Sequence, residues 1–350
     1  MTLITPSIPP RASVPRSAAL LVAVSLFVPS GAHAQIACTT SGPDAIIGTV
    51  NGPANYNSLN GIEAFAAGTT LCNIGSAPVA FRAENNQHPI ITQNLYRFKT
   101  VDGAARFEQI GMSWCFHSSF ALSENVCCTG CQSTDGRTLG SHCSSPDSSA
   151  AMGAQGGQGP RFQVNAATGF FTYPPANPAF SGTIARRLQA RISDLDPAQS
   201  GGGRYFVEHI VIAPDDAAAG NNNNNYSHRE ATITGTGTAW NLSLGPSSLT
   251  RSELPAIFGW SEADPAVTIV SVDVPGDGRF IVAGRATELA GGMWRYEYAV
   301  ENLTSHRAAR GVTIPTGPNP APANIGFHDV DYHSGDGLAN INVDGTDWQP

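Results

Sequence analysis

His328, Asp329, Asp331, His333 and Asp336 crowd into nine residues near the end of this 350-residue chain. The surrounding stretch reads Asn324-Ile-Gly-Phe-His-Asp-Val-Asp-Tyr-His-Ser-Gly-Asp-Gly337. If Phe327 to His333 is extended, its side chains alternate. Asp329, Asp331 and His333 then share one face, and His328, Val330 and Tyr332 share the other. Same-face neighbours on a strand stand roughly 6–7 Å apart at Cα, close enough to lean toward one ion. Gly335 and Gly337 free the turn to fold back and bring in Asp336. The chemistry expected here is binding of a divalent cation. An all-oxygen set suits calcium, and a ligating His333 shifts the preference to zinc or copper. The spacing does not match an EF-hand loop. The alternative is a polar strand end whose Asp and His side chains satisfy backbone groups.

Two further constellations could carry reactions. His88, His117, His209, His328 and His333 are spread along the chain, and their convergence would build a site for copper or another redox metal. Glu108 and Glu208 could serve as the carboxylate pair of a glycan-active hydrolase if they flank one bond. The G-x-S-x-G, H-E-x-x-H, P-loop and dinucleotide-binding patterns are absent from the sequence, which weakens the common enzyme classes.

The elements that must position these residues begin after an export signal. Arg11 and Arg16 precede an apolar run from Ala18 to Val28, then Pro29-Ser30-Gly31 and the small-residue pattern Ala32-His33-Ala34. This is the layout of a cleaved secretory signal peptide over residues 1–34. Those residues hold two arginines and no acid, so the remainder carries 17 basic against 27 acidic residues, a net charge of −10. An acidic surface disfavours nucleic acid and anionic membranes. No later apolar run is long enough to span a bilayer, so the mature protein is expected without a membrane span, secreted to the periplasm or beyond.

Charged residues are 13% of the chain while Gly (37) and Pro (25) are plentiful, which with β-branched and aromatic runs points to an all-β protein rich in turns. The expected architecture is an antiparallel β-sandwich with long loops. It forms either one domain or two packed β domains, a cysteine-bearing region 35–180 and a carboxy-terminal region 181–350. Leu95 to Val101 and Arg106 to Trp114 flank Asp102-Gly103, a hairpin turn signal. Arg204 to Ala213 is apolar on both faces except at Glu208 and His209, as in a central strand, where a buried Glu208 would need Arg204 or His209 as partner. Ser144 to Pro160 reads as a surface loop. Val267–Val274, Arg279–Thr287 and Trp294–Val300 read as a three-stranded meander. In its last strand Trp294, Tyr296, Tyr298 and Val300 are expected to face the core, with Arg295, Glu297 and Glu301 outward.

All seven cysteines, Cys38, Cys72, Cys115, Cys127, Cys128, Cys131 and Cys143, lie in the first half. In an exported chain they are expected to form disulfides, with Cys38, Cys72, Cys115 and Cys143 as the leading members and one thiol left over. Connectivity is not readable from spacing. The rival is thiolate–metal ligation at Cys115-x-His117, Cys127-Cys128-x-x-Cys131 and His142-Cys143.

Four blocks resemble a family of uncharacterised secreted bacterial proteins: Leu71-Cys-Asn-Ile-Gly75, His88-Pro-Ile-Ile-Thr-Gln-Asn-Leu-Tyr-Arg97, Arg106-Phe-Glu-Gln-Ile-Gly-Met-Ser-Trp114 and Asn324 to Gly335. The resemblance spans most of the chain after residue 34. It implies export and carries no activity with it. Similar chains continue past Gly345-Thr-Asp-Trp348, which implies a further strand beyond Pro350.

The function expected from these features is non-catalytic: a secreted surface, matrix or ligand-binding protein with disulfides and a structural cation. The metalloenzyme and hydrolase readings stand as alternatives. Mass spectrometry of protein from its native host is expected to find Gln35 at the amino terminus. Finding Met1 on the exported protein would overturn the signal reading.

Overall fold

Around Asp102-Gly103, alternating apolar residues fold into a long hairpin, β3 (Ile90–Val101) and β4 (Ala104–Met112). Both turn residues have positive φ, 48° and 81°, the backbone hand that matches the twist of paired strands. The computed structural model describes residues 36–118, 120–176, 179, 182–315, 322–328 and 330. The expected signal peptide lies outside them.

The hairpin sits in the middle of a large antiparallel sheet. The other strands of its main path are β1 (Ala45–Asn55), β2 (Ile62–Asn73), β6 (Leu188–Arg191), β7 (Arg204–Ile212), β8 (Tyr226–Thr236) and β9 (Ala239–Leu244). Their order is β1-β2-β6-β4-β3-β7-β8-β9, and a short strand, β5 (Cys115–His117), pairs with β3. Strands from before and after residue 180 therefore alternate in one sheet, and Gln35–Pro350 forms one unit by its contacts. One domain and two, divided near 180, were both open from the sequence, and β6 inserts between β2 and β4, so the main sheet draws on both regions.

The all-β, antiparallel expectation holds. The sandwich takes an altered form, because the large sheet nearly closes on itself. Its terminal strands are joined by side chains. The Asn55 amide accepts from Leu242 N–H at 2.8 Å and donates to Leu242 C=O at 3.2 Å, imitating a ladder residue. The Glu63 carboxylate accepts from Trp240 N–H at 3.0 Å. Arg229 donates to the carbonyls of Val50 and Gly245. The enclosed core contains Phe65, Leu71, Ile91, Leu95, Val207 and Leu242.

A second sheet lies on the outside of β3, β4 and β7. It is the expected meander, β10 (Thr268–Val274), β11 (Gly278–Glu288) and β12 (Trp294–Asn302). Between the layers Phe107, Phe206, Trp260, Ile281, Ala283 and Leu303 form a separate apolar cluster, so the layered packing of a sandwich does occur here.

Ser144 to Pro160 is more than a surface loop. Ser144–Asp147 pairs with β2, and Met152 and Gln158 are buried. Inside the large sheet, Arg97 is 2% exposed and donates to Glu108 Oε1 at 2.8 Å and to the Asp194 carboxylate at 3.0 Å. Lys99 adds a second cation 2.8 Å from Glu108. Burial alone would raise the Glu108 pKa, but Lys99 and Arg97 outweigh it and hold the carboxyl below its ordinary value.

Six cysteines form three disulfides, Cys38–Cys128, Cys72–Cys127 and Cys131–Cys143. The adjacent Cys127 and Cys128 clamp one loop to β2 and to the segment before β1. Cys115, expected among the paired cysteines, is instead the free thiol. It lies on β5, buried against Ile90 and Phe171, and burial pushes its pKa up to about 12. Alkylation of native, unreduced protein is expected to label no cysteine. Unfolding without reductant should expose one thiol, mapped to Cys115, and reduction should expose seven. Rapid labelling of Cys115 in the native state would contradict this burial. Loss of one native bridge is expected to cost about 2–5 kcal/mol.

Candidate functional site

The histidines test the metalloenzyme reading directly. His88 and His117 meet: His88 Nε2 lies 2.9 Å from His117 Nδ1. A carbonyl can only accept, so the 3.1 Å contact between His88 Nδ1 and Arg82 C=O places the His88 proton on Nδ1. The unprotonated His88 Nε2 must then accept from His117 Nδ1–H, which leaves Nε2 of His117 with a lone pair. That nitrogen packs beside Gly159, where a Cβ would come within 2.7 Å of it and 2.6 Å of Pro175. Phe171 and Tyr173 pack against the pair, with His88 ring-centroid distances of 4.9 and 5.2 Å. These two aromatics, with Glu84, Asn86 and Phe170, line an open cleft of about 430 Å³.

The other described histidines lie elsewhere. His209 points into the large sheet, fully buried, with neither ring nitrogen hydrogen-bonded, and burial pushes its pKa down to about 3. His228 bonds Leu254 C=O through Nδ1 at 2.8 Å. His328 is exposed, with Nε2 3.0 Å from Gln109 C=O. Asp329, Asp331, His333 and Asp336 lie outside the described residues. Among the described residues, no three His, Cys, Asp or Glu side chains gather as metal ligands do.

The carboxylate pair also separates. Glu108 shares the core-facing side of the large sheet with Arg97, whereas Glu208 points from β7 toward the meander. Two carboxylates on opposite faces of one sheet do not flank a common bond, which removes Glu108 and Glu208 as a catalytic pair. Neither Arg204 nor His209 is the partner of Glu208. Asn94 donates to it at 2.9 Å, Tyr96 at 3.0 Å and Ala256 N–H at 2.6 Å, and Arg204 pairs with Glu230 instead. Glu301 reaches in from β12 beside Glu208. Burial first, and the Glu208 charge second, push the Glu301 pKa well above the usual carboxylate range.

The meander holds the largest departure from expectation. Trp294, Tyr296 and Tyr298 are 53%, 58% and 42% exposed, so the aromatic face of β12 is the outer one. The charged face turns inward. Arg106 on β4 forms a bidentate pair with Glu297 at 2.9 and 3.0 Å. Arg295 bonds Glu297 at 2.7 Å and Asp102 at 3.0 Å. The next inward row, Ala283 paired with Ala299, is small and belongs to the apolar cluster between the layers. Period-two alternation identified two unlike faces correctly but placed the wrong one inside. The available signal was the charge on the facing hairpin, Asp102 and Arg106, which complements Arg295 and Glu297.

The geometry thus offers two features: a neutral histidine pair beside a cleft, and an exposed aromatic sheet face. The first is testable by titration. Burial, and then the neighbouring His88, push the His117 pKa down to about 4. Because the unfolded chain protonates near pH 6.5, His117 costs stability as pH falls from about 6.5 to about 4. Ring-nitrogen NMR is expected to show His117 neutral and Nδ1-protonated down to about pH 4. Titration near pH 6.5 would refute the bonded pair. No family model, curated protein or solved structure matches the chain.

Proposed function

We propose that this chain is an exported, non-catalytic binding protein that works through the outer face of the β10–β12 sheet. The observation that carries the reading is the joint exposure of Trp294, Tyr296 and Tyr298 on one strand. Large aromatics exposed together mark interaction surfaces, because each keeps a large apolar area in water until a partner covers it. Singly scattered apolar residues would carry no such meaning. The inward ion pairs at Arg295 and Glu297 hold the strand in this orientation, so the exposure is built into the packing. The three disulfides support export, since such bonds persist in oxidising compartments. The histidine pair is read as structural: it ties the 82–88 turn to β5.

Hydroxyl-radical footprinting tests the surface. Trp294, Tyr296 and Tyr298 are expected to be oxidised readily in dilute purified protein and protected in the native culture, where the partner is present. Equal oxidation under both conditions would overturn the assignment of this face.

A further inference from the structure

We infer that Glu208 and Glu301 form a proton-held latch between the large sheet and the meander. It is closed while the two carboxyls share one proton and opens when both ionise.

The two groups come from different layers. Glu208 points outward from β7, and Glu301 stands on the inward face of β12. Their carboxyl groups lie within hydrogen-bonding reach of each other. Carboxylates only accept, so a bond between them requires a proton on one. The surrounding donors decide which. Glu208 accepts from Asn94 and Tyr96 on Oε1 and from Ala256 N–H on Oε2. Both oxygens of Glu301 are buried, and no donor among the described residues reaches them. Tyr96 lies near both carboxyls, but its single hydroxyl proton is given to Glu208. Three donors suit an ionised Glu208, and a carboxyl without donors suits the acid. The proton therefore sits on Glu301, which donates it across the layer boundary to Glu208.

The neighbouring groups balance one negative charge and no more. Arg161 donates to Asn94 Oδ1 at 2.9 Å, and Asn94 Nδ2 donates to Glu208 at 2.9 Å, so one cation stands behind one carboxylate. His228 lies opposite Glu208 on β8. Its Nδ1 bonds a carbonyl and burial lowers its pKa, which keeps it neutral. Tyr96 on β3 and Tyr226 on β8 are also buried here, and burial raises both phenols well above the usual tyrosine value. On β11 the residue paired with Glu301 is the apolar Ile281. A second negative charge at Glu301 would face Glu208 with nothing to balance it.

Rising pH opens the latch. Burial, and then the facing Glu208 charge, raise the Glu301 pKa well above its value in an unfolded chain, about 4.3. A carboxyl raised in this way contributes its full stability at low pH and loses it as pH climbs through the raised value. What loosens is the meander, the layer that carries Trp294, Tyr296 and Tyr298, so the attachment of that face is tied to pH.

Two measurements on the disulfide-intact chain test this in a scan from about pH 5 to about pH 10, which starts just above the unfolded carboxyl value. Infrared spectroscopy is expected to show a protonated-carboxyl C=O band at neutral pH that is lost as pH rises. Subtracting the spectrum of Glu301→Gln isolates this band from those of other buried acids such as Asp216. Hydroxyl-radical oxidation reads the layer contact at Trp260, fully buried in the apolar cluster between the layers. In wild type its oxidation is expected to rise about tenfold or more over the interval in which the band disappears. Glu301→Gln keeps a neutral donor toward Glu208 and should hold Trp260 protected at every pH. Glu301→Leu, also uncharged, takes its place if the glutamine variant does not fold. Absence of the Glu301 acid band at neutral pH overturns the latch. So does Trp260 oxidation that stays constant across the scan, or an alkaline opening that the uncharged variant shares equally.

Discussion

The large sheet depends on closing a gap that backbone pairing leaves open. β1 and β9 do not share a ladder, and Asn55 and Glu63 supply the missing donors and acceptors from their side chains. Each such bond contributes only about 0.5–1.5 kcal/mol net. The larger effect is topological. With the edges joined, Phe65, Leu95 and Val207 stay dry, and the edges offer no template for another strand. The buried pair Arg97–Glu108 lies on the core-facing side of the same sheet, on its two middle strands.

Closure also produces the outer layer. A nearly closed sheet exposes its convex side, and on β3, β4 and β7 that side carries Tyr96, Phe107 and Phe206. These aromatics need a cover, which the meander and Trp260 supply. The cover is held by apolar contact at its centre and by the Arg106–Glu297–Arg295–Asp102 ions at its margin. The buried Glu208 and Glu301 lie in the same interface, where burial raises the pKa of both. With its charges committed inward, the meander presents aromatics to solvent, and the proposed binding role follows from that arrangement.

The disulfides act on a different part of the molecule. They fasten the 127–131 loop and the segment before β1 around the outer end of β2, away from the meander. The outer meander face is instead positioned by apolar packing and ion pairs.

Much of the architecture was legible from residues alone. Asp102-Gly103 announced its hairpin because the turn requires positive φ at both positions, a local demand. The three meander strands were legible because alternation is also local. Glu208 was recognised as a buried acid needing a partner, since its neighbours in the strand are apolar. What the residues left open were relations between distant segments. The partners of Glu208 came from Asn94, Tyr96 and Ala256, and the partners of Cys38 and Cys72 from adjacent cysteines about 90 and 55 residues away. The orientation of β12 shows the physical reason most clearly. Alternation creates two faces of unlike chemistry and does not say which one is covered. That choice belongs to whatever lies opposite, and here the opposing surface carries Arg106 and Asp102, whose charges draw Glu297 and Arg295 inward and leave Trp294, Tyr296 and Tyr298 in water.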